Sequence, residues 1–276
     1  MKTLEPLVTV FSPNYNNAKY ISETIESILN QSYSNFEYII IDDCSTDNSW
    51  QIIQRYAEKD KRIKIFRNIK NLGIVKTRNK GLNVRSPKSK YFAINDSDDV
   101  SKLNRLRIQV EFLEKNQDHG IIGSNNFIID ENSNKIGFRP YPLSDNEIRK
   151  KITRFNPISQ SSVMIRTKVI SQIGLYDENW NVCQDYDYWL RIGINWKLSN
   201  LDTPLINYRI SKTQVKITNL KETIINTYLI QKKAIAKYGY QDNIYNKILR
   251  IFLKFFIWFP KLLYYLYKIR VLKIKI

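Results

Sequence analysis

The sequence predicts an α/β fold: a mostly parallel sheet flanked by helices, with a helical extension at the C-terminal end. Three observations carry this expectation. Four short apolar runs alternate with helical patterns over residues 7–94. Two of those runs stop abruptly at carboxylates, Asp42-Asp43 and Asp96-Ser97-Asp98-Asp99. From Lys212 onward 14 basic residues stand against only Glu222 and Asp242, which is +12 of the chain's net +18.

The elements follow in order. Residues 7–11 are β formers and end in Ser12-Pro13-Asn14-Tyr15-Asn16-Asn17, dense in turn residues. Over 18–30, Ile21, Ile25, Ile28 and Leu29 recur at helical spacing. Residues 36–41 form an almost unbroken β run, and Ser45-Thr46-Asp47 after it is a good N-cap for a helix to about Lys59. A third strand is expected at 63–66, a turn at Asn71-Leu72-Gly73, a helix at 74–83 and a fourth strand at 91–94. Strand–helix alternation of this kind implies parallel pairing with right-handed crossovers. All strand ends then lie on one edge, so Tyr15, Asp43, Arg78 and Asp98 are expected to converge on one crevice. Beyond them come a helix at 103–114, a hairpin of 121–129 with 135–138, a short helix at 144–152, a strand at 162–165 and a segment 170–174 ending in glycine.

Composition narrows the function classes. A length of 276 residues allows one large domain, or one domain plus an extension. Hydrophobic residues at 43% and charged residues at 25% are those of a folded globular protein. The two cysteines, Cys44 and Cys183, are too few for a disulfide framework, and reduced thiols are expected. The apolar run at 7–11 is too short for a signal-peptide core. The one histidine, His119, sits in a turn sequence, Asp118-His119-Gly120, which excludes a histidine triad or a histidine-rich metal site. No G-x-G-x-x-G follows the first strand and no G-x-x-x-x-G-K-[ST] occurs, which argues against a dinucleotide dehydrogenase and a P-loop ATPase.

Two acidic stretches are candidates for chemistry. Asp96, Asp98 and Asp99 place three carboxylates within four residues at a strand end. Such a cluster costs desolvation and repulsion unless a cation or buried donors satisfy it. Mg²⁺ and similar hard ions take oxygen ligands and share them with substrate phosphates. A solvated turn with a helix cap explains the same residues locally. In Cys183-Gln184-Asp185-Tyr186-Asp187-Tyr188-Trp189-Leu190-Arg191 the two acids open a helix, where free N–H groups and the dipole favour carboxylates, so capping is an equal reading.

Together the ordered motifs Pro13-Asn14-Tyr15-Asn16, Asp42-Asp43-Cys44-Ser45-Thr46-Asp47, Asn71-Leu72-Gly73 with Arg78-Asn79, Asn95-Asp96-Ser97-Asp98-Asp99, Gln184-Asp185-Tyr186-Asp187-Tyr188-Trp189 and Tyr208-Arg209 make the chain resemble glycosyltransferase family 2. These are inverting enzymes with a GT-A, Rossmann-like fold, here of the bacterial surface-polysaccharide type. The resemblance covers about residues 8–211. It implies that Pro13 and Tyr15 line the nucleobase pocket, and that Asp43, with Asp42 beside it, reads uracil and holds the ribose. It implies that Arg78 approaches the diphosphate, that Asp96 contacts the ribose or a metal-bound water, and that Asp98 ligates Mn²⁺ or Mg²⁺. Asp99 would be structural, and Asp185 would be the general base. A single displacement needs no protein nucleophile, which agrees with the lack of a Ser-His or Cys-His pair. Three positions depart from the family: Gln184 where glutamate is usual, and Gln160 and Ser211 where many members carry histidine. The last leaves the metal's third protein ligand open.

The tail differs in kind. Residues 247–276 hold eight basic residues and no acid, interleaved with Phe252, Phe255, Phe256, Trp258, Phe259, Tyr264, Tyr265 and Tyr267. Lys254, Lys261 and Lys268 recur every seventh residue, and Pro260 would kink a helix there. This composition fits a helix lying in the membrane interface, with a packed helical subdomain, a dimer contact or nucleic-acid stacking as the other readings. The expected organisation is a GT-A domain at 1–211, a helical region packed on it at 212–246 and a membrane-associating tail at 247–276. The expected function is metal-dependent transfer of a sugar from a nucleotide sugar, a UDP-sugar by preference, to a hydroxyl of a lipid-linked or surface glycan. Nucleic acid is not an expected partner. The expected place is cytoplasmic, peripheral on the inner face of the cytoplasmic membrane. Transfer to polyprenyl phosphate and an inactive membrane-bound nucleotide-sugar-binding module are the alternatives.

Overall fold

The computed structural model describes residues 5–211, 219–262 and 265. Most of the last basic stretch, including Tyr264, Tyr267 and Lys268, lies outside the described residues. The first four strands, β1 (Val8–Asn14), β2 (Phe36–Asp42), β3 (Ile63–Arg67) and β4 (Tyr91–Ile94), pair in parallel in the order β3-β2-β1-β4. Helices α1 (Ile21–Leu29), α2 (Ser49–Lys59) and α3 (Ile74–Val84) make the crossovers. Every residue of β1, β2 and β4 is buried, as expected of strands covered on both faces.

Beyond β4 the sheet becomes mixed. A two-residue strand β5 (Val100–Ser101) and helix α4 (Arg105–Lys115) lead to a long strand, β6 (His119–Ile129), with β7 (Lys135–Arg139) as its hairpin partner. After α5 (Asp145–Lys151), strand β8 (Met164–Arg166) inserts antiparallel between β4 and β6. Helices α6 (Thr167–Ile173) and α7 (Gln184–Ile192) follow. The thirteen-residue β9 (Lys197–Arg209) runs parallel to β6 and closes the sheet against β5. Strand β9 has no apolar alternation and contains Pro204; pairing with β6, across two register shifts, defines it.

Alternation along the strands sorts side chains into two layers. Phe11, Ile39, Ile41, Phe92 and Ile94 meet α3, α6 and α7, where Tyr188 and Trp189 are fully buried. Val8, Val10, Tyr38, Ile40, Tyr91 and Ala93 meet α1, α2 and α4. Helix α3 lies close on β1: a Cβ on Gly81 would sit 2.4 Å from the Phe11 ring. The first layer also takes Ile230 and Ala234 from α8 (Leu220–Tyr238), which packs on α7 and on α9 (Ile244–Phe256).

One buried acid ties the non-catalytic edge. Glu37 accepts from Thr9 Oγ1 at 2.5 Å, the Ser86 amide at 2.7 Å and Lys64 Nζ at 2.5 Å. Burial raises its pKa, but these donors outweigh burial and hold it below the ordinary glutamate value. Its stabilisation is therefore present above the unfolded pKa and is lost as pH falls through the lower, folded one. Glu37→Gln should lower stability by roughly 1–2 kcal/mol at pH 7, with the deficit fading in acid below the folded pKa. Urea unfolding of both proteins at pH 7 and in acid checks this.

Candidate active site

The C-terminal ends of β1, β2 and β4 open onto a crevice of about 650 Å³, closed on its far side by segments 156–160 and 181–185. Its lining includes Pro13, Tyr15, Asp43, Arg78, Asp96, Asp98 and Asp185. The expected convergence of Tyr15, Asp43, Arg78 and Asp98 is seen, and Pro13, Asp96 and Asp185 join them. Tyr15 stands half-exposed at the rim.

The loops after β1 and β2 are tied to each other. The Asp43 amide donates to the Asn14 carbonyl at 2.8 Å. Asp43 Oδ1 accepts from Asn68 Nδ2 at 2.7 Å and the Leu72 amide at 2.8 Å, and Oδ2 accepts from the Gly73 amide at 2.9 Å. Gly73 has φ 84°, a conformation that favours glycine, so the Asn71-Leu72-Gly73 turn can present its amides to Asp43. A carboxylate offers about four lone-pair sites, so Asp43 keeps acceptor capacity for a ligand.

Asp42 corrects the expectation that it joins Asp43 at the nucleoside. It is fully buried and is not among the residues lining the crevice. Its oxygens take Asn14 Nδ2 at 2.8 Å, Ser45 Oγ at 2.5 Å and the Ser45 amide at 3.0 Å, with Arg67 Nε at 3.3 Å. It braces the two loops from behind.

Arg78 reaches the crevice from α3 and is nearly buried. Its Nη2 donates to Asp96 Oδ1 at 2.8 Å, while Nε has no hydrogen-bond partner. Burial opposes its charge, but the Asp96 carboxylate more than restores it, and its pKa lies above the ordinary value. Asp98 lines the crevice beside Asp96, and its carbonyl accepts from Arg209 Nε at 2.8 Å. Asp99 is buried and accepts from the Arg209 amide at 2.8 Å. Burial, then the neighbouring charges of Asp98 and Asp96, raise its pKa well above the ordinary aspartate value.

Beneath this turn sits Arg105, which the sequence reading passed over. It is fully buried. It donates to the carbonyls of Ile94 at 2.7 Å and Val163 at 3.1 Å, to Asn95 Oδ1 at 3.0 Å, to Ser101 Oγ at 2.9 Å and to Gln109 Oε1 at 3.1 Å. Burial pulls its pKa down to about 9 against the lift from Asp99 and Asp96, so it is charged at neutral pH. Asn95 in turn donates to the carbonyls of Asp96 and Asp99 at 3.0 and 3.1 Å.

The two acids of α7 separate cleanly. Asp185 lines the crevice and accepts from Asn156 Nδ2 at 2.8 Å. Asp187 is fully buried and accepts from Arg191 Nε at 3.0 Å, Lys233 Nζ at 2.8 Å and the Tyr238 hydroxyl at 3.2 Å. Neither is the N-cap residue; that is Cys183, with φ 62°. Gln160, Gln184 and Ser211, the three departures from the family pattern, all line the crevice. Asn156 was also missed, its only signal being a polar residue just before Pro157 near Gln160.

A divalent ion fits this donor set only as a shared ligand. Among the described residues no three His, Cys, Asp or Glu gather into a protein cage. Magnesium-like ions at nucleotide sites need just one or two carboxylates plus phosphate oxygens and water, and Asp98 with Asp96 supplies that. Asp96 and Asp98 both face the crevice, where a cation would relieve the repulsion between them.

Residues 9–174 match the family model for glycosyl transferase family 2. The chain belongs to this family. The match holds Asp43, Arg78, Asp96 and Asp98, and Asp185 lies beyond it. Among curated members, an uncharacterized glycosyltransferase of Methanocaldococcus jannaschii is 34% identical over 232 residues, 83% of this chain and 79% of the relative. Solved structures share the GT-A fold. Staphylococcus aureus TarS in complex with UDP-GlcNAc superimposes with a TM-score of 0.65 at 20% identity, over 84% of this chain and 71% of the other. The mannosyltransferase PcManGT of Pyrobaculum calidifontis, in complex with GDP-Man and Mn²⁺, gives 0.65 at 15% identity, over 92% and 70%.

Arg105→Met should cost roughly 3–5 kcal/mol, because it leaves several buried acceptors, the Ile94 and Val163 carbonyls among them, without a donor. A urea titration followed by circular dichroism measures it; a loss under 1 kcal/mol would contradict the role given to Arg105.

Proposed function

We propose that this family 2 glycosyltransferase transfers a sugar from a UDP-sugar to a hydroxyl of a lipid-linked or surface glycan, with inversion at the anomeric carbon. The observation that carries this reading is the convergence of Asp43, Arg78, Asp96, Asp98 and Asp185, from four separate segments, on one crevice. The complexes of TarS with UDP-GlcNAc and of PcManGT with GDP-Man support a nucleotide-sugar donor.

In this reading Pro13 and Tyr15 flank the base, and Asp43 accepts from it with its remaining acceptor capacity. Arg78, held by Asp96 on the crevice wall, donates to the diphosphate and stabilises the charge that grows there as the sugar leaves. Mn²⁺ or Mg²⁺ held by Asp98, with Asp96 beside it, would add Lewis-acid charge at the same diphosphate. Asp185 removes the proton of the acceptor hydroxyl as its oxygen bonds to the anomeric carbon. The pair of electrons in the old glycosidic bond goes to the nucleoside diphosphate. One displacement inverts the centre, so the chain needs no nucleophile of its own. Residues 1–211 are the transferase, 212–246 brace it, and 247–276 serve the acceptor side at a membrane.

Two variants separate donor binding from chemistry. Asp185→Asn should keep UDP binding and lower kcat by roughly 10²–10⁴, read by titration calorimetry and a UDP-release assay. Asp98→Ala should abolish the Mn²⁺-dependent part of UDP binding. Full turnover in Asp185→Asn would remove it as the base, and UDP affinity indifferent to both Mn²⁺ and Asp98 would remove the metal.

A further inference from the structure

Helix α9 is built inside out. Its side against the domain carries polar residues: Asn246, which donates to Thr153 Oγ1 at 2.8 Å, and Arg250, which donates to the Thr153 carbonyl at 3.0 Å and pairs with Asp242. Both are buried. The opposite side carries Ile248, Ile251, Phe252 and Phe255, and Trp258 and Phe259 continue it past the helix end; all are exposed, Ile251 at 70% and Trp258 at 79%. A water-facing helix turns its polar side outward. Here the two buried residues are polar, with Leu249, Leu253 and Phe256 part-buried beside them, and the opposite apolar face is large enough to require a partner.

We infer that the outer face of α9 is a docking surface for an anionic lipid bilayer, lying in the interface with its aromatic side down. This rests on the proposed reading only in giving the acceptor a membrane setting. Charge chooses the occupant. Lys247 and Lys254, two turns apart, line one edge of the apolar face, and residues 247–276 carry no acid at all. A second copy would bring like charge against like charge, whereas anionic headgroups complement it. Tryptophan, tyrosine and lysine beside an apolar face are the residues that settle at the headgroup level. Among the described residues no helix is long and apolar enough to cross a membrane, so the contact is one of lying on the surface.

The docking surface is wired to the acceptor side of the crevice. Helix α9 packs on α8. From α8, Asn226 Nδ2 donates to the Val182 carbonyl at 3.2 Å, and Gln231 Nε2 donates to the Arg154 carbonyl at 2.8 Å. Those are the segments that carry Asp185 and its partner Asn156. The helix that carries the docking surface is therefore braced, through α8, against the half of the crevice that holds Asp185.

Flotation of the full chain with vesicles of phosphatidylcholine alone, or with added phosphatidylglycerol, tests the surface. Binding to the anionic vesicles is expected, with little to neutral ones. The triple variant Lys247→Gln, Lys254→Gln, Lys261→Gln should weaken it by about a hundredfold, at roughly fivefold per lysine. Phe252→Glu with Phe255→Glu should abolish it; both side chains are already exposed, so UDP binding by calorimetry should be unchanged and reports on folding. Equal binding to neutral vesicles, or anionic binding indifferent to both variants, overturns the proposal. So does a concentration-dependent dimer in sedimentation that the double variant dissolves, which would give the face to a second copy. If UDP fails to bind while vesicles do, the donor-site reading falls and the docking surface stands.

Discussion

One guanidinium fixes the floor of the crevice. Arg105 holds the carbonyls that end β4 and precede β8, and the Asn95 side chain that in turn sets the Asp96–Asp99 turn. Arginine suits the place because its five N–H donors can satisfy several buried acceptors at once. Its burial is tolerable because all five N–H groups find acceptors, while Asp99 and Asp96 return only part of the charge lost to burial. Arg209 clamps the same turn from β9 through Asp98 and Asp99, and its own Nη2 rests on Glu23 of α1 at 2.5 Å. The acids that face the ligand are thus placed by two arginines that do not line the crevice.

Parallel strands buried on both faces announce themselves as apolar runs, so β1 to β4 and their helices were legible within a residue or two at most ends. Strand β9 was not, because its residues make sense only against β6. The strand-end acids were legible by position, since the edge of a parallel sheet is where loops converge. Their division of labour was not. Asp42 and Asp43 are neighbours, yet one braces and the other faces the crevice. Asp185 and Asp187 share a helical turn, and what separates them is Lys233, 46 residues further on. Arg105 gave no local signal, because a buried arginine reads like any exposed one on an amphipathic helix.

The chain divides its recognition between two supports. The wall carrying Asp43 is held by hydrogen bonds among the loops after β1, β2 and β3, all within the first 80 residues. The side carrying Asp185 leans on α8, from the far end of the sequence. The two walls of the crevice are therefore braced by different parts of the chain.

The buried Asp187 has a practical consequence for anyone shortening the chain. Cutting at Ser211, where the last sheet strand has just ended, looks natural on paper. It would strip Lys233 and Tyr238 from a fully enclosed carboxylate, leave Arg191 to balance it alone, and open a hole where Ile230 and Ala234 now sit. A shortened protein freed of its greasy end should stop after Tyr240, whose hydroxyl closes on the Leu190 carbonyl at 2.9 Å. The helix that looks like an appendage is a wall of the enzyme.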